Sequence, residues 1–359
     1  MTASDPLRKE YLNSFSDLKK EIKSRGFYQR DTKKILAHLL FHYCCLAVGI
    51  ALFLNSDNYF VALLSIIIWL QGLMGIGTHT HNSAHHTSTS SHKADQLLSY
   101  LGYSTTLGLS THYWQHKHNI VHHKYPNIIE LDQDHDLMPW FALTDYDKEG
   151  VQGIRLTYYN YFQGIALPLI MVLNMFNLQR AGLVYLYDMF KNGKLKKGHC
   201  IDIFCYFLHL MLWIGIPSIW YEIGDVILFY LLSNALLSYA MFFVLGASHL
   251  VAEACCVVNR DKEADYFLSQ TATTINIDTN RYGRVLYSGL DYQIEHHLFP
   301  GVCYTKLPQV SKLVKEYCQA NNYPHKTLSL WHSIVGVASV FYKPKQVLQN
   351  FESERLNTQ

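Results

Sequence analysis

Charged residues are scarce in this chain. Only 16% of its 359 residues are Asp, Glu, Lys or Arg, whereas 49% are hydrophobic. A soluble domain usually carries about 25% charged residues, so the composition favours a membrane protein with substantial polar parts. The formal net charge is +2, and no basic stripe interleaves with aromatic residues as on a nucleic-acid surface. We therefore expect no nucleic-acid partner.

The chain also lacks a cysteine framework and a cleavable signal peptide. Its eight cysteines include the adjacent pairs Cys44/Cys45 and Cys255/Cys256 but no C-x-x-C motif, so no zinc pattern is formed. A reduced protein that faces the cytosol is the simpler interpretation. Residues 1–35 are polar and basic, without the apolar core of a signal peptide.

Four apolar segments are long enough to cross a membrane, at about 35–55, 59–77, 201–221 and 225–247. The short links SDN and EIG join them in pairs. This pattern predicts an all-α integral membrane protein, with four transmembrane helices in two hairpins and a cytosolic helical cap. We expect a basic N-terminal segment at 1–34, the membrane domain at 35–345 and a polar tail at 346–359.

A fifth apolar segment, 164–176, is shorter and contains Pro168 and Asn174. Its length is more typical of an interfacial or re-entrant segment. The alternative, in which 155–178 is a true span, stays open. Residues 1–35 hold nine Lys/Arg and the two links hold none, so we expect both termini to be cytoplasmic. The membrane would be a bacterial inner membrane or the endoplasmic reticulum.

Histidine is abundant, with 20 residues, and many of them fall in three short clusters just outside the apolar segments. The clusters read HNSAHH at 81–86, HNIVHH at 118–123 and QIEHH at 293–297. Neutral imidazole is the commonest protein ligand for transition metals. In the first cluster, His81 and His85 have the i, i+4 spacing that places two side chains on one helix face. His86 competes with His85 as the partner of His81, and the spacing leaves both open.

The other two clusters contain adjacent histidines. His118 and His122 are again i, i+4, and His123 points about 100° away from His122 on a helix, so an adjacent pair can serve two metals. The pair HH at 296–297 repeats this arrangement, and Gln293 lies where a further histidine would complete the pattern. Eight or so imidazoles exceed the three or four ligands of a single zinc. They suffice for two metals, with Fe, Cu, Ni or Zn favoured over Mg or Ca.

These clusters, together with Trp114, HHKYPN at 122–127, LDQDHD at 131–136 and QIEHHLFP at 293–300, closely resemble the membrane fatty acid desaturase family. The glutamine of the third cluster resembles the front-end branch of that family, which includes Δ5, Δ6 and sphingolipid Δ8 enzymes. The resemblance runs from about His81 to Tyr323. It implies four membrane helices, a cytosolic di-iron site and a long acyl tunnel.

The resemblance also implies the metal ligands, and no catalytic residues beyond them: His81, His85, His118, His122, His123, His296 and His297. A further family ligand follows the last span, where this chain has His249. Stearoyl-type desaturases have an asparagine four positions before that histidine. Leu245 stands there instead, so Gln293 is an additional candidate ligand. Asp132, Asp134 and Asp136 are candidate acceptors for imidazole N–H groups.

The implied reaction is the O₂-dependent insertion of a cis double bond into a fatty acyl chain, linked to CoA or to a lipid. Its cofactors would be two Fe ions, with O₂ as co-substrate. Many front-end desaturases carry a fused cytochrome b5 domain with an HPGG motif, which this sequence lacks. We therefore expect a separate electron donor, either cytochrome b5 or a ferredoxin.

Two other classes of protein stay open. A di-iron membrane hydroxylase or ketolase of a lipid would share the histidine clusters, because all of these reactions begin with abstraction of hydrogen from carbon. A zinc-dependent membrane lipid amidase or a histidine-rich metal-binding protein would need no redox chemistry. The metal content and the product mass would separate these alternatives.

Overall fold

A computed structural model describes residues 14–258, 265–349 and 351. Helices dominate this part of the chain, in keeping with the predicted all-α class. In chain order they are α1 (Phe15–Ser24), α2 (Thr32–Leu54), α3 (Tyr59–Ala84), α4 (His92–Ser99), α5 (Thr111–Trp114), α6 (Gly153–Thr157), α7 (Gln163–Met171), α8 (Asn174–Lys191), α9 (Lys197–Leu210), α10 (Ile223–Gly246), α11 (Tyr266–Thr273), α12 (Arg281–Tyr287), α13 (Gln293–Leu298), α14 (Leu307–Asn321) and α15 (Leu330–Val340).

Short irregular helices and strands complete the architecture. The π-helical turns are Tyr100–Thr106, Gln115–His122, Tyr158–Phe162 and Met211–Gly215, and the 3₁₀ turns are Tyr146–Lys148, Pro217–Ile219 and Tyr304–Lys306. Four short strands form two parallel pairs: β1 (Cys256–Val257) with β4 (Val347–Leu348), and β2 (Asn276–Asp278) with β3 (Thr327–Ser329).

The four predicted spans are present as helices of sufficient length and apolarity: α2, α3, α9 continued to Ile219, and α10. The second is longer than predicted, because it continues past 77 to Ala84 and carries the first histidine cluster. Small residues let α2 and α3 pack closely, as is usual between membrane helices. A Cβ atom added to Gly49 would lie 2.4 Å from the Trp69 backbone nitrogen.

The fifth apolar segment forms a bent pair rather than a straight helix. Gly153–Met171 and Asn174–Lys191 meet at an angle of 73°. Pro168 lies inside the first arm, where it removes one backbone hydrogen bond. The segment therefore has the geometry of a re-entrant loop or a broken span.

A second irregular segment was not predicted. Residues 100–111 reach between the spans and leave regular helix at Leu107–Ser110. Buried carbonyl groups in such a segment need donors, and α8, α9 and the π-helical turn that follows α9 supply them. Gln179 Nε2 donates to Leu107 O at 3.0 Å, and Trp213 Nε1 donates to Thr106 O at 3.0 Å. Thr105 O lies 3.2 Å from His209 Nδ1.

The remaining helices form a cap over one end of the four spans. Leu18 and Ile22 of α1 are buried against Ile294 and Phe299, beside the third histidine cluster. Of the predicted tail, β4 pairs with β1 and Phe351 is buried. Residues 1–13 of the predicted N-terminal segment, and 350 and 352–359 of the predicted tail, lie outside the described residues.

Candidate metal centre

Histidines from all three clusters meet under the cap in two neighbouring groups. In the first group, one ring nitrogen from each member lies within 4.8 Å of those of the others; the members are His81, His85, His118, His123 and His296. His81 Nε2 and His118 Nε2 are 2.7 Å apart, and His123 Nε2 and His296 Nε2 are 3.1 Å apart. Nitrogens of neutral imidazoles that converge in this way leave a common point between them for a cation.

The first cluster joins this group because α3 continues without a break beyond the predicted span and carries the cluster at its C-terminal end. His81 lies in the last turn of α3, and His85 caps the helix one turn later. His86 has a positive φ of 56°, so its ring turns away and lies 4.1 Å from that of His92. The structure thus pairs His81 with His85, the choice that the spacing left open.

The second cluster adopts π-helical rather than α-helical geometry. The His123 N–H donates to His118 O at 3.1 Å, an i, i+5 bond that brings these two residues onto one face. His118 and His123 therefore share the first group. The expected i, i+4 relation still leaves the His118 and His122 rings stacked, with centroids 5.1 Å apart.

The second group contains His122, His249 and His297, again with ring nitrogens within 4.8 Å of one another. His249 follows the end of α10. Gln293 Nε2 lies 2.9 Å from His249 Nε2, so the predicted amide also reaches this group. The two adjacent pairs divide between the groups: His122 and His297 belong to the second group, and their neighbours belong to the first.

Hydrogen bonds to outer residues orient the second group. The Asp132 carboxylate accepts from His122 Nδ1 at 3.0 and 3.1 Å, which leaves Nε2 free for a metal. Gln270 Oε1 accepts from His297 Nδ1 at 2.9 Å. Lys345 Nζ donates to the backbone carbonyl of His249 at 3.0 Å. Gln270 and Lys345 were not predicted, because neither lies in a histidine motif.

The three predicted aspartates differ in their contacts. Asp132 is buried against His122. Asp134 forms an ion pair with Lys117 at 2.6 Å and has one oxygen 3.5 Å from His122 Nδ1. Asp136 is exposed and accepts from the Met138 N–H. It borders a cavity beside the second group.

Burial holds most of these imidazoles in the neutral form that binds metal. It lowers the pKa of His85, His123 and His296 well below the usual value, and neighbouring histidines lower it further. His249 and His297 behave in the same way. Burial also lowers the pKa of His122, but the Asp132 carboxylate outweighs this and raises it overall.

Several buried atoms of the centre have no hydrogen-bond partner among the described residues, including His85 Nε2, His297 Nε2 and Gln293 Oε1. Burying an unpaired polar group costs about 1–3 kcal/mol, so such atoms indicate a missing ligand. A donor set of neutral imidazoles with one amide suits Fe, Cu, Ni or Zn. These residues fit a pair of transition metals.

A buried carboxylate anchors the helix that carries the second cluster. Asp202, in the first turns of α9, accepts from the backbone N–H groups of Thr111 and His112 at 3.1 Å each. It also accepts from the hydroxyls of Ser104 and Ser110. A negative charge at a helix N-terminus is favourable, so Asp202 fixes where the turn towards His118 begins.

Fold and site together define a membrane protein with a histidine-rich candidate metal centre. A model of the fatty acid desaturase family matches residues 58–329. A Δ5 fatty acid desaturase of Caenorhabditis elegans is 26% identical over 331 residues, covering 87% of this chain and 69% of the relative. A Δ8 fatty acid desaturase of Borago officinalis is 24% identical over 348 residues, covering 92% and 75%.

A Δ6 fatty acid desaturase of Caenorhabditis elegans is 25% identical over 335 residues, covering 88% of this chain and 71% of the relative. The chain belongs to the fatty acid desaturase family. Its relatives are named Δ5, Δ6 and Δ8 fatty acid desaturases, so the predicted front-end branch and the oxidoreductase class are confirmed.

Proposed function

We propose that this front-end desaturase inserts a cis double bond with two iron ions, one held by each histidine group, and that O₂ is its co-substrate. The observation that carries the proposal is the division of the adjacent pairs His122/His123 and His296/His297 between two neighbouring groups. A single zinc would need only three or four of these imidazoles. Iron and O₂ supply the oxidising power to remove hydrogen from an unactivated methylene.

The protein's own part is to hold ligands and substrate in place. Asp132 and Gln270 fix the ring orientation of His122 and His297 through their Nδ1 atoms. The acyl chain would bind in a cavity beside the second group, whose apolar lining includes Leu178, Met241, Leu245 and Leu290. Such a lining holds one C–C bond close to the metals and excludes bulk water from them.

We also propose that the centre faces the cytoplasm and receives electrons from a separate carrier protein, cytochrome b5 or a ferredoxin. The nine Lys/Arg within residues 1–35 support this orientation. The acyl substrate would be linked to CoA or to a membrane lipid.

The test is expression in a host that lacks polyunsaturated acids, with candidate acids supplied and double bonds located by mass spectrometry. We expect products two hydrogens lighter than their substrates. A gain of oxygen instead would indicate a hydroxylase or ketolase. One zinc per chain with no dependence on oxygen would contradict the proposal altogether.

Two variants test the ligand groups separately. His122→Ala removes a member of the second group and His296→Ala a member of the first. Each should abolish product formation while the protein still inserts in the membrane, as judged by its amount in the membrane fraction. Retained activity in either variant would refute the proposed ligand set.

A further inference from the structure

An apolar seam leads from the candidate metal centre into the membrane. On α3, Leu73 and Gly77 precede His81 at four-residue intervals, so the three share one face of the helix. On α10, Leu237, Met241 and Leu245 follow the same interval towards His249, and the last two line the cavity beside the second group. Both helices thus present an apolar row that begins at a histidine of the centre.

The two rows meet where Gly77 leaves room. A Cβ atom at Gly77 would lie 3.4 Å from Leu107 Cδ1 and 3.4 Å from Met241 Sδ, so these side chains fill the space that a larger residue would occupy. Beyond them lies a small void, bordered by Leu73, Leu237 and Trp213. From His81 to Leu73 the seam extends roughly 12 Å along α3.

Trp213 separates this void from a much larger cleft. The cleft has a volume of about 450 Å³ and is lined by α2, α10 and residues from the segments 101–106 and 212–221. Its lining includes Leu46, Ile50 and Phe229. Trp213 and Thr106 border both spaces, and the Trp213 indole N–H donates to Thr106 O. Leu212, which lines the cleft, is 51% exposed and belongs to the candidate span Lys197–Ile219, so the cleft opens on the outer surface of that span.

We propose that the methyl end of the acyl substrate follows the α3–α10 seam past Gly77 and leaves the helix bundle through this cleft into the bilayer, with Trp213 as the gate. The inference rests on the proposed desaturation. The names of the relatives place the new bond near the carboxyl end, so most of a long chain lies on the methyl side of the reacting carbons and needs such a path.

The seam is narrow in this structure, and opening it requires side-chain rotation. Met241 is flexible enough to adapt to an apolar ligand, and the Trp213 ring can swing towards the cleft once its hydrogen bond to Thr106 O breaks. A methyl end that leaves into the bilayer exchanges one apolar environment for another. The length of the acyl chain that the enzyme accepts is therefore not limited by the closed end of a pocket.

The test measures how activity depends on the number of methyl-side carbons. Purified protein, with a reconstituted electron donor, receives a mixture of acyl chains that are identical on the carboxyl side and differ in length. Ile50→Trp fills the cleft and should lower the long-to-short product ratio by about tenfold. The matched control Val48→Trp, on an exposed face of α2 outside the cleft lining, should leave that ratio unchanged. Equal ratios in the two variants would overturn the proposal.

A binding readout separates this inference from the proposed reaction. An acyl probe with a photoreactive diazirine at its methyl end should label residues 43–54 or 212–229, even when no electron donor is present. Trp213→Ala should increase this labelling. Labelling confined to other segments would overturn the proposed exit path. Labelling at the cleft without any product from wild-type protein would contradict the reaction and leave the path standing.

Discussion

The two histidine groups of the centre are built differently, although they lie side by side. The first contains five histidines and the second contains three with the amide of Gln293. In the second group, outer residues bind the Nδ1 atoms of His122 and His297. In the first, the Nδ1 atoms of His81 and His123 have no partner among the described residues.

This difference indicates two ways to position a ligand. The first group depends on where its helices end, because α3, the π-turn at Gln115–His122 and α13 bring its rings directly together. The second depends in addition on polar contacts that orient the rings of His122 and His297. We therefore expect the first group to be sensitive only to changes in its ligands, and the second to be sensitive to its supporting residues as well.

The largest effect should come from the first cluster. His85→Ala removes a ligand that no neighbouring side chain replaces, whereas His86→Ala removes a ring that faces His92. The loss of product with His85→Ala should exceed the roughly 10- to 100-fold typical of a supporting partner. His86→Ala should retain both activity and metal content. Equal losses in the two variants would show that the groups are assigned wrongly.

A smaller effect is expected from the supporting carboxylate. Asp132→Asn keeps the size of the side chain but weakens its hold on His122, and should cost roughly 10- to 100-fold in activity or metal affinity. Asp188→Asn is the matched control, because Asp188 is exposed on α8 and lies outside the lining of the cavity beside the second group. Metal analysis should show partial loss from Asp132→Asn alone. If both variants keep full occupancy, the second group does not need this contact.

Gln293 provides a finer comparison of the two groups. Gln293→His would give the second group a fourth imidazole and make it more like the first, so we expect metal to be retained against a chelator at least as well as in wild type. Gln293→Leu removes the amide and should weaken retention by about tenfold. Dialysis against increasing chelator, followed by metal analysis, measures both. Identical retention in all three proteins would exclude Gln293 as a ligand.

The smallest effect concerns the stability of the metal-free protein. Burial keeps the pKa of His85, His123, His296, His249 and His297 below the usual value of 6.5. The unfolded chain therefore binds more protons in acid, and the free energy of unfolding should fall as pH drops below about 6.5. His122 opposes this trend, since its pKa is raised.

Thermal unfolding in detergent between pH 8 and pH 5 measures this dependence. His123→Asn should reduce the fall in melting temperature, because it removes one buried imidazole that must accept a proton. The exposed His332→Asn serves as control and should leave the slope as in wild type. A melting temperature that rises towards pH 5 would contradict the expected sign.

Much of the architecture follows from local pattern, because a membrane helix needs only length and apolarity. The four spans were predictable for that reason, although helical spacing left both His85 and His86 open as the partner of His81. The pairing of His118 with His123 was not predictable, because it depends on an i, i+5 turn that a four-residue spacing does not reveal. His249 was found through family resemblance, since a single histidine beside an apolar segment carries no signal of its own.

The supporting residues escaped prediction for a different reason. Gln270 and Lys345 reach the centre only through the folding of the cap, and no motif joins them to a histidine. The segment at residues 100–111 escaped because its carbonyl groups are satisfied by side chains about 70 to 110 residues later in the chain. Contacts between residues so far apart in the sequence can be seen only in the folded structure.

That segment also constrains the order in which the protein is made. Residues 100–111 leave the ribosome well before Gln179, His209 and Trp213, the side chains that bond to their carbonyl groups. Carbonyl groups without hydrogen-bond donors are unfavourable in hydrocarbon, so the segment has to stay outside the bilayer core until these side chains have been synthesised. It takes its final place only when the second hairpin arrives, which makes biogenesis of the second histidine cluster a late, cooperative event.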